Sequence, residues 1–116
     1  MQLLQLTRKI VATSLLVPAF VFADIGNIFE QTGWYDPDDL FPNLPKEYDL
    51  ILVDGPGGRW GRGGFYKHID KFNTDVPMIF DDIHRTQDSD VMEYVSEYVG
   101  REYETIDLYT GVIYGS

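Results

Sequence analysis

Two short apolar runs in the second half of the chain are each followed directly by acidic residues. Leu50–Val53 precedes Asp54, and Val76–Phe80 precedes the pair Asp81 and Asp82. Continuous apolar runs of this length, bounded by turn residues, are typical of strands buried on both faces, as in a parallel sheet. The pattern therefore predicts two neighbouring parallel strands with acids at their carboxyl ends.

Apolar residues at helical spacing follow each of these strands. Phe65, Ile69 and Phe72 lie at positions i, i+4 and i+7, which predicts a helix after the first strand. A longer helix is predicted from a start at Thr86 or Asp88 to a stop at Gly100. Its apolar stripe, interpreted as core, consists of Val91, Tyr94, Val95, Tyr98 and Val99. Strands that alternate with helices predict an α/β fold with a parallel sheet.

Two flanking segments extend this pattern. The tail from Tyr103 to Tyr114 predicts two strands joined at Thr110-Gly111, which is an antiparallel hairpin. Before the first strand, the proline-rich and acidic stretch Gly33–Pro45 predicts an ordered loop with one helical turn. Trp34 and Tyr35 are expected to hold this loop against the body of the domain.

The N-terminal apolar run has two interpretations. Arg8 and Lys9, the apolar residues after them and the small-residue ending Val21-Phe22-Ala23 have the outline of a secretory signal peptide covering residues 1–23. The other interpretation is a buried strand from Lys9 to Val17. The chain would be secreted in the first case, and we expect a cytoplasmic protein in the second.

Composition narrows the class of protein. The 116 residues fit one domain, in which residues 1–45 supply a strand and the loop and residues 46–116 supply a βαβα unit and the hairpin. A hydrophobic fraction of 44% argues against disorder. A net charge of −10 disfavours binding to nucleic acid or to a membrane surface. Cysteine is absent, which excludes disulfides and thiol chemistry.

The ordered motifs resemble the C-terminal half of a class I S-adenosylmethionine-dependent methyltransferase. The segment Tyr48–Pro56 resembles the family's fourth strand and the loop after it, and Val76–Arg85 resembles the fifth strand with its acidic end. Gly33–Asp36 is similar to the Trp-Tyr-Asp loop of a bacterial subgroup, in which an apolar strand precedes that loop at the distance of Lys9–Val17. The resemblance covers residues 9–116.

This resemblance implies a partial Rossmann-like methyltransferase fold, with parallel strands and a C-terminal antiparallel hairpin. In its complete form such a domain would transfer a methyl group from S-adenosylmethionine to a small hydroxylated acceptor, for which a saccharide is one candidate. The family holds the cofactor through a glycine-rich loop after strand one and an acid that ends strand two. No Gly-x-Gly-x-x-Gly pattern occurs in this sequence, and the run Gly55–Gly64 does not supply one.

The missing cofactor-binding half also implies a bare sheet edge. Strand one of the family lies beside strand four, so without it the inner edge of Leu50–Val53 would be unpaired. An apolar edge of this kind invites pairing with another chain. We expect a homodimer or partner chain at that edge, a rearranged N-terminal strand, or poor solubility. The alternative function is a non-catalytic α/β interaction module, or a truncated remnant, that self-associates through this edge.

The acids at the strand ends are the first candidates for chemistry. Carboxyl ends of parallel strands meet at one edge of a sheet, where ligands bind in open α/β folds. Asp54, Asp81 and Asp82 could together hold Mg²⁺ or Ca²⁺, an arrangement that resembles the metal-dependent O-methyltransferases. Alternatively they cap loops and helix N-termini, or Asp54 or Asp82 acts as a general base on a substrate hydroxyl. His84, next to the acidic pair, is a candidate base or ligand, or else a surface residue.

Arginines near these acids are candidates for binding the acceptor. Arg59 and Arg62 flank Trp60 in the glycine-rich loop, and Arg85 follows the acidic pair. Arginine suits a carboxylate or phosphate, so an acidic sugar or a phosphorylated acceptor would fit. The other interpretation is that these arginines pair with the protein's own surplus of acids. His68, beside Lys67, is expected to be solvated.

Overall fold

The structure, a computed structural model, describes residues 10–12, 20–22, 33–55 and 62–116. The strands within these residues are β1 (Ile10–Ala12), β2 (Phe20–Phe22), β3 (Gly33–Tyr35), β4 (Leu50–Val53), β5 (Met78–Asp81), β6 (Tyr103–Thr105) and β7 (Thr110–Ile113). The α-helices are α1 (Pro37–Leu40), α2 (Gly63–Lys67) and α3 (Thr86–Val99), with 3₁₀ turns at Phe41–Asn43 and Ile69–Lys71.

The main sheet is mixed and has five strands in the order β1-β4-β5-β7-β6. Strands β1, β4 and β5 are parallel, whereas β7 is antiparallel to both β5 and β6. Strands β2 and β3 form a separate antiparallel pair. The predicted α/β class, the two neighbouring parallel strands and the C-terminal antiparallel hairpin are therefore confirmed.

The inner edge of β4 is covered. Strand β1 pairs with it in parallel, with Ile10 opposite Leu50 and Ala12 opposite Leu52. Of the consequences expected from a bare edge, the structure shows the rearranged N-terminal strand. This pairing satisfies backbone groups of β4 and makes β1 the edge strand of the sheet.

The N-terminal strand overlaps the possible signal peptide. Within residues 1–23, Ile10–Ala12 belongs to the main sheet and Phe20–Phe22 belongs to the second sheet. The rest of the predicted strand Lys9–Val17 and of the possible signal peptide lies outside the described residues. Removal of residues 1–23 would take one strand from each sheet.

The Trp-Tyr-Asp segment is part of the core, as predicted. Trp34 and Tyr35 are 1% and 2% exposed. Asp36 caps α1 because its carboxylate accepts the backbone N–H of Asp38 at 3.0 Å. The predicted helical turn is therefore present.

The helix predicted through Phe72 is shorter than its apolar spacing indicated. Helix α2 ends at Lys67, because His68 leaves the α region with φ −107° and ψ 21°, and the chain continues as a 3₁₀ turn. Two of the five residues of α2 are glycines, and so short a helix is held by packing, not by its own propensity. Phe65, Ile69 and Phe72 are nevertheless all buried, as the spacing required.

The long helix has the predicted extent, but its N-cap residue and one residue of its predicted apolar stripe differ from the prediction. Helix α3 ends at Gly100, whose φ of 71° is the left-handed conformation that glycine favours. Arg85 occupies the N-cap position without a side-chain cap, so neither Thr86 nor Asp88 caps the helix. Tyr98 is 54% exposed and is not core, whereas Val99 is partly buried and packs against the core.

The hairpin turn lies earlier than predicted. Residues 106–109 connect β6 to β7, whereas Thr110 and Gly111 belong to β7 itself. Glycine at position 111 is required by packing and not by a turn, because a Cβ atom there would overlap the Sδ atom of Met92 on α3. Close approach of helix to sheet explains this glycine.

The core lies between the main sheet, α3 and the aromatic residues of β3 and α2. Its members include Trp34, Tyr35, Leu40, Ile51, Val53, Phe65, Phe72, Met78, Phe80, Val91, Met92, Val95 and Ile113. Of the helices in the described part of the chain, none combines the length and the apolar character that crossing a bilayer would need.

Candidate functional site at the carboxyl ends of the strands

Two arginines and two aspartates form one ion cluster at the carboxyl end of β5. Asp82 Oδ2 receives Arg62 Nη2 at 3.0 Å and Arg85 Nη2 at 2.9 Å. Asp88 Oδ2 receives Arg85 Nε at 2.7 Å, and Asp88 Oδ1 lies 3.9 Å from Arg62 Nε. We call these four residues the arginine–aspartate cluster; its formal charges cancel.

Arg62 ties the glycine-rich loop to this cluster. Its side chain is 4% exposed, and Nη1 donates to the backbone carbonyl of Asp81 at 2.6 Å. A buried guanidinium requires this set of acceptors, because an unpaired buried charge is costly. The residue therefore fixes the end of the loop against β5.

Asp82 reaches its partners through a strained backbone. Its φ of 63° is the left-handed conformation, which costs a non-glycine residue about 1–2 kcal/mol. The conformation begins a turn in which Arg85 N–H donates to the carbonyl of Asp82 at 3.0 Å. The two arginines at its carboxylate offset the strain.

Asp88 is the most buried acid of the cluster, with its side chain 5% exposed. Burial raises the pKa of Asp88 above its ordinary value of 3.8, and the attraction of Arg62 and Arg85 opposes that rise only in part. The carboxylate lies in the first turn of α3, where the helix dipole also favours negative charge.

The structure shows the predicted acceptor-binding arginines engaged with the protein's own acids. Arg62 and Arg85 both bind Asp82, as the alternative interpretation held. Arg59 and Trp60 lie outside the described residues. The cluster thus joins the residue before α2 to the end of β5 and the start of α3.

The described residues do not group the predicted metal ligands Asp54, Asp81 and Asp82 into one site. Asp54 is half-buried after β4, and Asp81 is half-buried at the end of β5. The Oδ2 atom of Asp82 already binds two guanidinium groups. Across residues 33–55 and 62–116, no three His, Cys, Asp or Glu side chains are grouped so that they could hold a metal ion.

His84 lies at an open cleft of about 540 Å³ beside this cluster. Its walls come from the end of β5, the start of α3, β6 and the loop before β7, namely Ile83, His84, Ser89, Met92, Tyr103, Thr105, Asp107 and Leu108. The exposed imidazole contacts the ring of Tyr109 edge-on at 4.8 Å. We call this the His84 cleft.

Hydrogen bonds hold the outer wall of the His84 cleft. Ile83 N–H donates to the carbonyl of Tyr109 at 3.0 Å, and Asp107 Oδ1 accepts the N–H of Tyr109 at 2.8 Å. The Tyr103 hydroxyl donates to Glu93 at 3.0 Å. The cleft presents hydroxyl, imidazole and carboxylate groups around the buried Met92, a mixture that suits a small polar ligand.

Sequence reasoning found one residue of this cleft, His84, and missed the others. Thr105 and Asp107 belong to the hairpin, whose turn was placed too late in the chain. Ser89 gave no signal, because a single serine in the first turns of a helix is ordinary. Two hydroxyl groups and an acid on elements separated in sequence cannot be grouped without knowing how those elements pair.

His68 differs from its prediction as well. It is half-buried and stacks on the Trp34 indole, with ring centroids 5.3 Å apart and an interplanar angle of 15°. Burial is the main cause that lowers the pKa of His68, and Lys67 and Lys71 lower it further. It is a packing residue.

The glycine-rich motif through which the family holds S-adenosylmethionine does not follow β1 in the sequence. Strand β1 lies where the resemblance places strand one, next to β4. The sequence after β1 reads Thr-Ser-Leu-Leu-Val-Pro, and no glycine occurs before Gly26.

Comparison with known proteins adds no relative. No protein-family model, no curated protein and no solved structure matches the chain.

Proposed function

We propose that this chain is the acceptor-binding half of a methyltransferase-like domain with a partial Rossmann-like fold, and that its His84 cleft holds a small hydroxylated molecule such as a saccharide. Methyl transfer would require that another polypeptide segment supply the half of the domain that binds S-adenosylmethionine. By itself the chain binds the acceptor and not S-adenosylmethionine.

The observation that carries this proposal is the position of the His84 cleft in the sheet. It lies at the carboxyl end of the parallel strand β5, the edge at which ligands bind in open α/β folds. The insertion of β7 between β5 and β6 supports the likeness to the family, in which a C-terminal antiparallel hairpin follows strand five. Fold alone does not specify chemistry, so the groups in the cleft bear the functional argument.

Those groups suit a hydroxylated ligand. Thr105 and Ser89 carry hydroxyls that both donate and accept, and the second carboxylate oxygen of Asp107 can accept from an alcohol. The His84 imidazole is the group in the cleft that can take a proton from an acceptor hydroxyl as a general base. Asp82, whose carboxylate binds two arginines, serves as a positioning residue that holds the turn carrying His84.

The alternative function is a module that self-associates through the sheet edge beside β4. That alternative needs an open inner edge on β4, and β1 occupies it. The acceptor proposal therefore takes precedence over a module that acts through this edge.

Calorimetric titration tests the cofactor part of the proposal. The purified chain, shown to be folded by circular dichroism, is titrated with S-adenosylmethionine and S-adenosylhomocysteine, with and without Mg²⁺. We expect no binding heat in any of the four titrations. Saturable micromolar binding would show that the chain has a cofactor site, and Asp54, Asp81 and Asp82 would then be substituted to locate it.

A substitution in the cleft tests the acceptor part. His84→Ala should weaken binding of any glycoside that binds the chain, while unfolding free energy changes by no more than about 0.5 kcal/mol, because His84 is exposed. Glu97→Ala, exposed near the far end of α3, is the matched control. Equal affinity in all three proteins would place glycoside binding outside the His84 cleft and refute the assignment.

A further inference from the structure

A second cleft lies at the other end of the parallel strands from the His84 cleft. Its volume is about 320 Å³, and its walls include Phe41, Leu44, Tyr48, Lys46, Lys71 and Asn73. Tyr48 precedes β4 and Asn73 precedes β5, so the cleft lies at the amino ends of these parallel strands. It is therefore remote from the His84 cleft, and we call it the lysine cleft.

The lysine cleft concentrates positive charge in a strongly acidic protein. Lys46 and Lys71 are two of the four lysines of a chain whose net charge is −10. Across residues 33–55 and 62–116, neither lysine forms an ion pair, although Glu47 and Asp70 adjoin them in sequence.

Every polar group of the cleft is placed to donate. The ammonium groups of Lys46 and Lys71 are donors only. Asn73 Oδ1 already accepts the N–H of Asp75 at 3.1 Å, which leaves its amide NH₂ for a ligand. The Tyr48 oxygen accepts the N–H of Asn73 at 2.6 Å, and its hydroxyl hydrogen remains to be donated. Burial raises the pKa of Tyr48, so that hydrogen is retained at neutral pH.

The remaining walls are apolar. Lys71 Nζ lies 5.9 Å from the centroid of the Phe41 ring, so a cation and an aromatic face are already adjacent. Leu44 and Tyr48 add further apolar surface. The volume is at the lower end of the roughly 300–1,000 Å³ found for ligand pockets, which limits a ligand to one or two rings.

We infer that the lysine cleft is a binding site for a small aromatic carboxylate, whose anionic group is held by Lys46, Lys71 and Asn73 and whose ring lies against Phe41 and Tyr48. The acceptor-rich anion matches the donor-only polar groups, and the ring matches the apolar walls. This site is independent of the proposed acceptor site.

The test is a titration of the isotopically labelled full chain with 2-naphthoate, followed by backbone amide chemical shifts. We expect saturable shifts at amides from Phe41 to Tyr48 and from Lys71 to Asn73. The neutral analogue 2-naphthamide and inorganic phosphate should each bind about tenfold more weakly, because one lacks the charge and the other lacks the ring. Raised salt should weaken naphthoate binding.

Substitutions locate the interaction. Lys46→Met and Lys71→Met should each weaken naphthoate binding about threefold, and the double variant about tenfold, as expected for exposed charge pairs. Lys67→Met removes the same charge on α2 outside the cleft and should leave affinity unchanged. All variants are first shown to retain the wild-type spectrum away from the cleft.

Several results would overturn the inference. They are the absence of shifts with naphthoate in millimolar excess, equal weakening by Lys67→Met and the cleft variants, and phosphate binding as tight as that of naphthoate. Absence of shifts would show that the cleft does not bind naphthoate. Equal weakening by Lys67→Met would show that binding depends only on the overall charge of the protein. Equally tight phosphate binding would show that the aromatic ring contributes nothing to binding.

Discussion

Gly64→Ala is the substitution whose effect the structure constrains most tightly. Gly64 lies in α2 against the face of Trp34, and an alanine Cβ at this position would lie 2.5 Å from the Trp34 Cβ atom and closer still to the indole ring. Ordinary contact between carbon atoms is about 3.5–4.0 Å. The helix or the tryptophan must therefore move by roughly 1.5–2 Å.

The expected cost lies between two limits. Forcing one extra carbon into a packed core costs typically about 1–3 kcal/mol. Expelling the Trp34 ring, which is now 1% exposed, would instead expose roughly 200 Å² of apolar surface, or about 5 kcal/mol at about 25 cal/mol per Å². The better helix propensity of alanine offsets about 0.5–1 kcal/mol. We expect a net loss of about 2–4 kcal/mol.

Urea unfolding, followed by far-ultraviolet circular dichroism and by tryptophan fluorescence, measures this loss. Gly100→Ala is the matched control, since no atom lies within 4 Å of the added Cβ and only the left-handed φ of 71° is strained, at about 1–2 kcal/mol. Trp34→Phe combined with Gly64→Ala should be less destabilised than the sum of the two single variants, because the smaller ring relieves the overlap.

The reasoning would be refuted by a Gly64→Ala variant whose unfolding free energy lies within about 0.5 kcal/mol of the wild type. Strict additivity in the double variant would likewise show that the two residues do not touch.

Three further predictions concern buried polar groups and a second close contact. Arg62→Met should lower the unfolding free energy by about 3 kcal/mol because it leaves Asp88 and the Asp81 carbonyl short of a partner; a loss below about 1 kcal/mol by urea unfolding would contradict the role of the arginine–aspartate cluster. The folded pKa of Asp88 is raised above 3.8, so the stability of wild type relative to Asp88→Asn should be greatest below pH 3.8 and fall as the pH rises through the folded pKa. The total fall should be about 1.4 kcal/mol for each unit by which folding raises the pKa of Asp88. Unfolding measured from about pH 3 to pH 7 should show this fall, and a rise in relative stability over the same range would be incompatible with a raised pKa. Gly111→Ala should destabilise the protein through overlap with the Met92 Sδ atom, and the double variant Gly111→Ala, Met92→Ala should lose less stability in thermal unfolding than the sum of the two single variants; strict additivity would locate the strain elsewhere.

Local sequence pattern predicted the elements that are buried along their length. Strands β4 and β5 follow from their apolar runs, and α3 follows from its spacing and from Gly100. Such elements are predictable because burial imposes a period on the sequence wherever the element lies. The burial of Trp34 could also be predicted, because a large aromatic side chain in a polar loop is stabilised by packing against the core.

Pairing between distant segments was not predictable in the same way. Nothing in the apolar run around Ile10 specifies that it adds to β4. Helix α2 stops before His68, whose ring stacks on Trp34. The position of Gly111 gave the same local signal as a turn, although its cause is the approach of Met92. These features depend on contacts across the fold, which override local preference.

The candidate site divides along the same line. The acids at the ends of β4 and β5 could be located from sequence, because parallel strands bring their carboxyl ends to one edge. Their partners could not, since Arg62 and Asp82 are 20 residues apart and meet only in the folded chain. That pairing turned a predicted ligand-binding arginine and a predicted metal-binding acid into partners of each other.

The most direct test of the proposed function is an amide chemical-shift titration of the folded chain, first with S-adenosylhomocysteine and then with a panel of methyl glycosides. We predict no shifts with the cofactor product, and saturable shifts at Ile83, Thr105 and Leu108 around the His84 cleft with at least one glycoside. Shifts with S-adenosylhomocysteine at Asp54 and Asp81, or glycosides that leave the cleft unchanged, would contradict the proposal.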